Sequence, residues 1–415
     1  MNRTVFNKAW WAGLAAIFLL VTLNALAFAG ELDDIHKAIK EKEAKWEAGE
    51  TSISKLPYSQ RKLRASANLP HLKDTDTFVA PEPPLGGISP SLDWRNYNGA
   101  GLNYVTPVKD QGNCGSCWAF GTTAALESYF LKQENLPNHT DSANFAEQVL
   151  VSCSGAGSCG GGYPSTASSY IRDTGLPPEM DYYYTATDGS CTSAVPGWQQ
   201  AAYRIGSWSY VCVSPSAAAI KNALVTNGPL ATMFQVYSDF FSYRSGIYSY
   251  ATGSYVGNHC VLIVGYDDVN QCFIAKNSWG TGWGEAGYFR IAYSQCSNSV
   301  KYGMYTIAYS PPATCTYAIS PISQSFTDKG GSASINVTAP TGCTWNAVDN
   351  ASWITIGSVT ATQGPGTVNY SVDANTTGTS RKGTITVAGQ SVTISQSAAT
   401  PTNPPTPKIP PGKKK

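Results

Sequence analysis

The chain has little charge, few histidines and, past its first 29 residues, no long apolar run. Only 13% of its 415 residues are charged, and 28 Lys and Arg against 27 Asp and Glu leave a net charge of +1. Without a basic excess there is no global field to draw nucleic acid, so no nucleic-acid partner is expected. Without a later apolar run, no segment beyond the N-terminus is expected to cross a membrane. Four His in all leave few choices for chemistry that needs an imidazole. A zinc site around Cys114 and Cys117 would want a second close pair of ligands. Cys153 and Cys159 stand in a glycine-rich setting with no second C-x-x-C, so no metal and no cofactor is expected. A redox site of the C-x-x-C kind would need a small βαβ unit around it, and the pattern offers none.

What is present divides the chain. A length of 415 residues exceeds one ordinary core and implies two or three domains. Arg3 and Lys8, an apolar run from Ala9 to about Leu26, and Ala27-Phe28-Ala29 read as a cleavable signal peptide over residues 1–29. The eleven Cys lie between positions 114 and 343, which suits an exported, disulfide-permissive setting, extracellular or periplasmic. Residues 30–91 are a charged, helical-looking segment and a linker. Ile35 through Trp46 carries apolar residues near helical spacing, a second stretch from Leu56 includes Lys62-Leu63-Arg64, and a Pro- and Gly-rich run ends at Pro90. Residues 92–310 form the main domain, with a helical pattern after Cys114 and strand-like runs from Pro229 to Ile291. Helices first and strands second imply two packed lobes of an α+β fold. From residue 313 to 398, short alternating runs such as Ser334–Val337 and Gly383–Val387 imply a small all-β sandwich. Residues 399–415 are a Pro- and Lys-rich tail expected to be disordered.

The chemistry gathers in three blocks. In Gln111-Gly112-Asn113-Cys114-Gly115-Ser116-Cys117-Trp118, the Gly-Ser turn lets a helix begin at Cys117. Free N–H groups and a positive helix end favour a thiolate there. The backbone N–H of Cys117 and the amide of Gln111 are placed to hold an oxyanion. Among the four His, His36 and His71 precede the domain and His139 sits in a polar loop; His259 opens an apolar strand and is the candidate base. In Lys276-Asn277-Ser278-Trp279-Gly280, Asn277 can orient that imidazole and Trp279 can shield the bond from water. Nucleophile, base and orienting group are the parts covalent catalysis needs.

Over residues 31–310 the sequence resembles the papain family of cysteine peptidases. Cys114-Gly115-Ser116-Cys117-Trp118 is that family's nucleophile signature in full, with His259 and Asn277 following in order. The resemblance implies a two-lobed papain-like fold, with a helical lobe and a β-barrel-like lobe. It implies Cys117 as nucleophile, His259 as base, Asn277 as its support and Gln111 in the oxyanion hole. Gly161, Gly162, Tyr163, Pro164, Met233 and Trp279 would bind substrate, with an apolar pocket for the residue at P2, two before the scissile bond. Cys114–Cys159 and Cys153–Cys191 would be disulfides. The absence of an occluding insertion implies an endopeptidase acting on polypeptides. Asn258 replaces the Asp often found before the catalytic His, and Cys260 follows it where small residues are common.

Residues 315–397 resemble the BACON family of β-modules, on Gly342-Cys343-Thr344-Trp345, Ala351-Ser352-Trp353-Ile354 and Arg381-Lys382-Gly383-Thr384. Cys315 and Cys343 are placed to staple its first strands. The resemblance implies a glycan or surface ligand, with a rigid spacer as the plainer role; Trp345 and Trp353 stack on sugars in the first case and fill the core in the second. The expectation as a whole is a secreted, monomeric zymogen inhibited by its own pro-segment, with a mature start near Leu92. Two rivals stand beside it: a catalytically silent binding protein and a transpeptidase.

Overall fold

The computed structural model describes residues 30–70, 72, 88–311, 315–340 and 343–400. The expected signal peptide, most of the linker and the last fifteen residues lie outside them. The chain forms two compact units that divide between Pro311 and Pro312.

In the first unit α1 covers 30–41. The helical spacing that extends to Trp46 is not followed. The chain turns at Glu43, which adopts φ 51°, and Trp46–Ala48 becomes a strand, β1. Tertiary contact overrides local pattern here: β1 pairs with Tyr243–Gly246, and Trp46, 4% exposed, packs on Tyr243 and Tyr248. A short helix α2 (Tyr58–Leu63) follows, then β2 (Ser91–Asp93). The central helix α3 (Cys117–Gln133) is buried on nearly every side, as befits a run rich in Ala, aromatics and Leu. Beside it lie α4 (Glu147–Cys153), the short strands β3 (Gly157–Ser158) and β4 (Gly161–Gly162), and α5 (Pro164–Asp173), which starts with Pro at its first position. These helices make up one lobe.

The other lobe is strand-rich: β5 (Ser207–Cys212), α6 (Ala217–Thr226), β6 (Leu230–Tyr237), β7 (Tyr243–Tyr248), β8 (Tyr255–Asp267), β9 (Cys272–Lys276), β10 (Tyr288–Ala292) and β11 (Met304–Ser310). The sheet order is β1-β7-β10-β9-β8-β6-β11-β5, with β2 added to β8. The thirteen-residue β8 is the spine, and α3 lies against it. Gly121 permits that approach, since a Cβ there would meet Cys260 Sγ at 2.5 Å.

The second unit is a sandwich of two four-stranded sheets. One holds residues 318–320, 331–338, 366–372 and 354–359; the other holds 323–326, 390–396, 381–387 and 347–349. Alternation puts Ile335, Val337, Val368, Tyr370, Ile385, Val387, Val392 and Ile394 in its core. Cys315 is bonded to Cys343. Trp345 is buried and donates its Nε1–H to Gly364 O at 2.8 Å. Trp353 is half-buried, with the Arg381 guanidinium 4.3 Å above its ring.

Candidate active site

Cys117 is the first residue of α3 and wholly buried. The residue before it, Ser116, gives the helix no side-chain cap; its hydroxyl bonds Tyr184 Oη at 2.6 Å instead. Ala119 N–H and Phe120 N–H donate to Ser116 O, and the Trp118 backbone group at the helix start favours negative charge on the thiol. The Cys114–Cys159 bond and the Gly115 N–H to Cys159 O contact of 2.8 Å tie this loop to the strand carrying Gly161 and Gly162. Cys153 is bonded to Cys191.

His259 comes from β8, opposite Phe234 on β6. It is fully buried and donates from Nε2 to Asn277 Oδ1 at 2.7 Å. An amide oxygen only accepts, so the proton sits on Nε2 and the lone pair on Nδ1. Nδ1 makes no hydrogen bond among the described residues. Trp279 stacks on the imidazole at 4.7 Å and 27°, closing it from water. Asn277 Oδ1 also accepts the Ser278 N–H. Gln111 is held twice: Nε2 donates to Cys114 O, and Oε1 accepts from Ser278 Oγ, both at 2.8 Å. One amide hydrogen of Gln111 remains for a further acceptor.

Gly161 and Gly162 are buried, and a Cβ on Gly162 would strike the Trp118 ring at 2.4 Å. Tyr163 precedes α5 half-buried and Pro164 opens the helix. Met233 faces Cys260 across β6 and β8 and belongs to the main core cluster.

A second segment of the chain covers this site. Ala67 N–H donates to Asn258 O at 2.9 Å, Asn68 N–H to Gly162 O at 2.8 Å, and Gly162 N–H to Ser66 O at 3.3 Å. Arg64 bonds Asp110 Oδ1 at 2.9 Å. Burial consequently pushes the Cys117 thiol up, against the backbone groups of Cys260, Ser66, Trp118 and Ala67. Burial also brings His259 down to about 4, with the nearby Arg64 cation adding to it and the Asn277 bond opposing it. The helix end is outweighed while the cover is in place, and both groups are held neutral.

Behind Asn277 lies a buried ionic network that the sequence reading missed. Lys109 Nζ bonds Glu127 and Glu147 at 2.7 Å each. Lys276 Nζ is caged by Thr106 O, Thr106 Oγ1 and Pro107 O at 3.0, 2.8 and 3.2 Å. Burial lowers Lys276 to about 8 and raises Glu147 to about 7, the latter against the pull of Lys109. Asp110 was missed too. No local spacing signals these residues, because their partners stand far off in sequence.

The family model described as papain family cysteine protease matches residues 88–310, more than half the chain. The BACON domain model matches residues 344–397. A cathepsin L-like proteinase of Fasciola hepatica is 42% identical over 211 residues, 49% of this chain and 60% of that protein's own length. Digestive cysteine proteinase 2 of Homarus americanus is 34% identical over 298 residues, 66% of this chain and 84% of the relative. Among solved structures, the digestive procathepsin L2 proteinase from Tenebrio molitor larval midgut aligns with a TM-score of 0.60 at 26% identity, covering 73% of this chain and 99% of that one.

Proposed function

We infer, because this chain belongs to the papain family of cysteine proteases, that it is an exported cysteine endopeptidase made as an inactive precursor. The observation that carries the reading is the His259–Asn277 bond of 2.7 Å, on an imidazole whose free Nδ1 lone pair can take the proton of Cys117. Cys117 Sγ attacks the peptide carbonyl carbon and gives its proton to His259. The oxyanion is held by the Cys117 N–H and the remaining Gln111 amide hydrogen. The C–N bond breaks as His259 protonates the leaving amine, leaving a thioester. Water, deprotonated by His259, then adds to the thioester; the acid leaves, and the proton returns to Cys117. Gly161 and Gly162 would bind substrate backbone, with Tyr163, Pro164 and Met233 shaping an apolar P2 pocket and Trp279 on the leaving-group side.

The layout proposed is a signal peptide over 1–29, a pro-segment and linker over 30–91, a peptidase domain over 92–310, a sandwich over 313–398 and a tail over 399–415. The three disulfides support export. Inhibition follows from chain direction. The pro-segment passes Gly282 and Phe241 first, reaches Asp110 through Arg64, and only then pairs with Gly162 through Ser66 and Asn68. It runs from the leaving-group side toward the acyl side, opposite to a substrate, and pairs in parallel with Gly162. No peptide bond of it then meets Cys117 in the productive sense. The mature start proposed near Leu92 falls in the β2 strand, which pairs with β8. For the sandwich we favour a spacer: Trp345 fills the core and Trp353 lies under Arg381, so neither offers a sugar an open ring.

The test is hydrolysis of a peptide amide with a hydrophobic P2 residue by acid-processed protein, beside a Cys117→Ala control. Activity absent from the control supports the reading. Silence in both, with the pro-segment shown to be gone, returns the binding-protein alternative, and aminolysis products with added amines would favour the transpeptidase.

A further inference from the structure

Asp110 is the residue before Gln111, and it is fixed beside the leaving-group side of the site. It pairs with Trp279 as an isolated bridge, Gly280 N–H donates to Lys109 O at 3.1 Å, and Gly112 N–H donates to Asp110 Oδ1 at 2.9 Å. Its side chain stays 51% exposed even under the pro-segment. The neighbouring cation, Lys109, is committed to Glu127 and Glu147, so the Asp110 charge is not cancelled from within the domain.

The pro-segment supplies an occupant. Arg64 has a side chain only 6% exposed and reaches Asp110 Oδ1 at 2.9 Å. Its Nε makes no hydrogen bond among the described residues. Burying a guanidinium with one N–H unsatisfied is costly, so the carboxylate contact has to offset that. A guanidinium seated on the carboxylate of the residue before Gln111, whose backbone bridges to Trp279, is the chemistry of a side-chain subsite already filled. A fork of N–H donors on a long apolar stem suits a single carboxylate at the rim of a cleft.

We propose that Asp110 is a specificity-determining residue of the mature enzyme, selecting a basic side chain, Arg above all, at the first or second position after the scissile bond. Arg64 would be its surrogate in the precursor. The inference rests on the peptidase reading above. The backbone of the pro-segment runs against a substrate's direction, but a side chain entering from either polarity reaches the same carboxylate.

The experiment uses processed enzyme and internally quenched peptides that are identical up to the cleavage site. The residues after it are scanned with Arg, norleucine and Glu at each of the two positions. The wild-type enzyme should prefer Arg to norleucine about fivefold in kcat/KM at one of the two positions, with Glu below norleucine. The preference should shrink in 0.5 M salt as the exposed carboxylate is screened. In Asp110→Asn, which keeps an acceptor for Gly112, the Arg-to-norleucine ratio should fall to about one. In Asp110→Lys it should invert in favour of Glu. Efficient cleavage of all peptides without discrimination overturns the inference and leaves the peptidase reading standing. A preference for Arg that survives in Asp110→Asn overturns it as well. Failure to cleave any peptide sinks both.

Discussion

The pro-segment touches the domain in two regions built differently. Upstream, residues 46–61 are fastened by apolar burial and strand pairing. Trp46 is packed among Tyr243 and Tyr248, Ile53 is 1% exposed, Thr51 Oγ1 donates to Phe241 O, and Arg61 sits over Phe241. Downstream, residues 64–68 cross the catalytic groups with small side chains, three backbone hydrogen bonds and one ion pair. Fastening and blocking are thus carried by different residues. This division predicts that the crossing stretch binds weakly by itself and depends on the fastening stretch to raise its local concentration.

This comparison can be broken most forcefully at Trp46. Truncating a buried Trp costs about 3–5 kcal/mol, so in Trp46→Ala precursor the labelling of Cys117 by a thiol reagent, followed by peptide mapping, should speed up about 100-fold or more. Unchanged labelling would mean that the crossing stretch holds itself in place. Acid is the next lever. Burial brings covered His259 down to about 4, and opening the cover to water should move the imidazole back toward its ordinary 6.5. The uncovered state therefore binds more protons between about pH 6.5 and 4, and the cover weakens as pH falls through that window by up to about tenfold per unit. Labelling of the precursor, divided by that of mature enzyme at each pH, reads this directly; a flat ratio would refute it. Arg64→Ala should release the site about fivefold in the same assay, the scale of one partly exposed ion pair, with Arg64→Lys in between. The smallest effect belongs to the second unit: removing residues 312–415 should leave small-peptide hydrolysis within about twofold, because the cores of the two units are separate.

Much of this was legible in the sequence. The Cys117 block, His259 and the Asn277 block carry local motifs, and the helix-then-strand order follows from periodicity. The strand at Trp46 was not legible, because its pattern fits a helix and only the facing edge of β7 decides otherwise. Asp110 and the Lys109–Glu127–Glu147 and Lys276–Thr106 contacts were not legible either. Arg64 and Asp110 stand 46 residues apart, and Lys276 and Thr106 stand 170 apart. A lone charged residue in a loop reads as solvated until its partner is seen. The effect of burial on Cys117 was hidden for the same reason: the helix start is written locally, and the cover that outweighs it comes from 50 residues upstream.

The bond between Cys114 and Cys159 places an oxidised sulfur pair three residues from a sulfur that must stay reduced. The enzyme consequently has to live between two redox limits. Too oxidising a medium caps the nucleophile once the pro-segment has left. Too reducing a medium removes the covalent tie between the loop and the strand of Gly161 and Gly162, which we propose receives substrate. Cys114 is fully buried and Cys159 half-buried, so a thiolate attacking the bond has to come in through Cys159, whereas an open Cys117 is reached freely. Activity plotted against reductant strength should rise, hold a plateau and then fall, with the width of the plateau set by how far that burial separates the two sulfurs' accessibility.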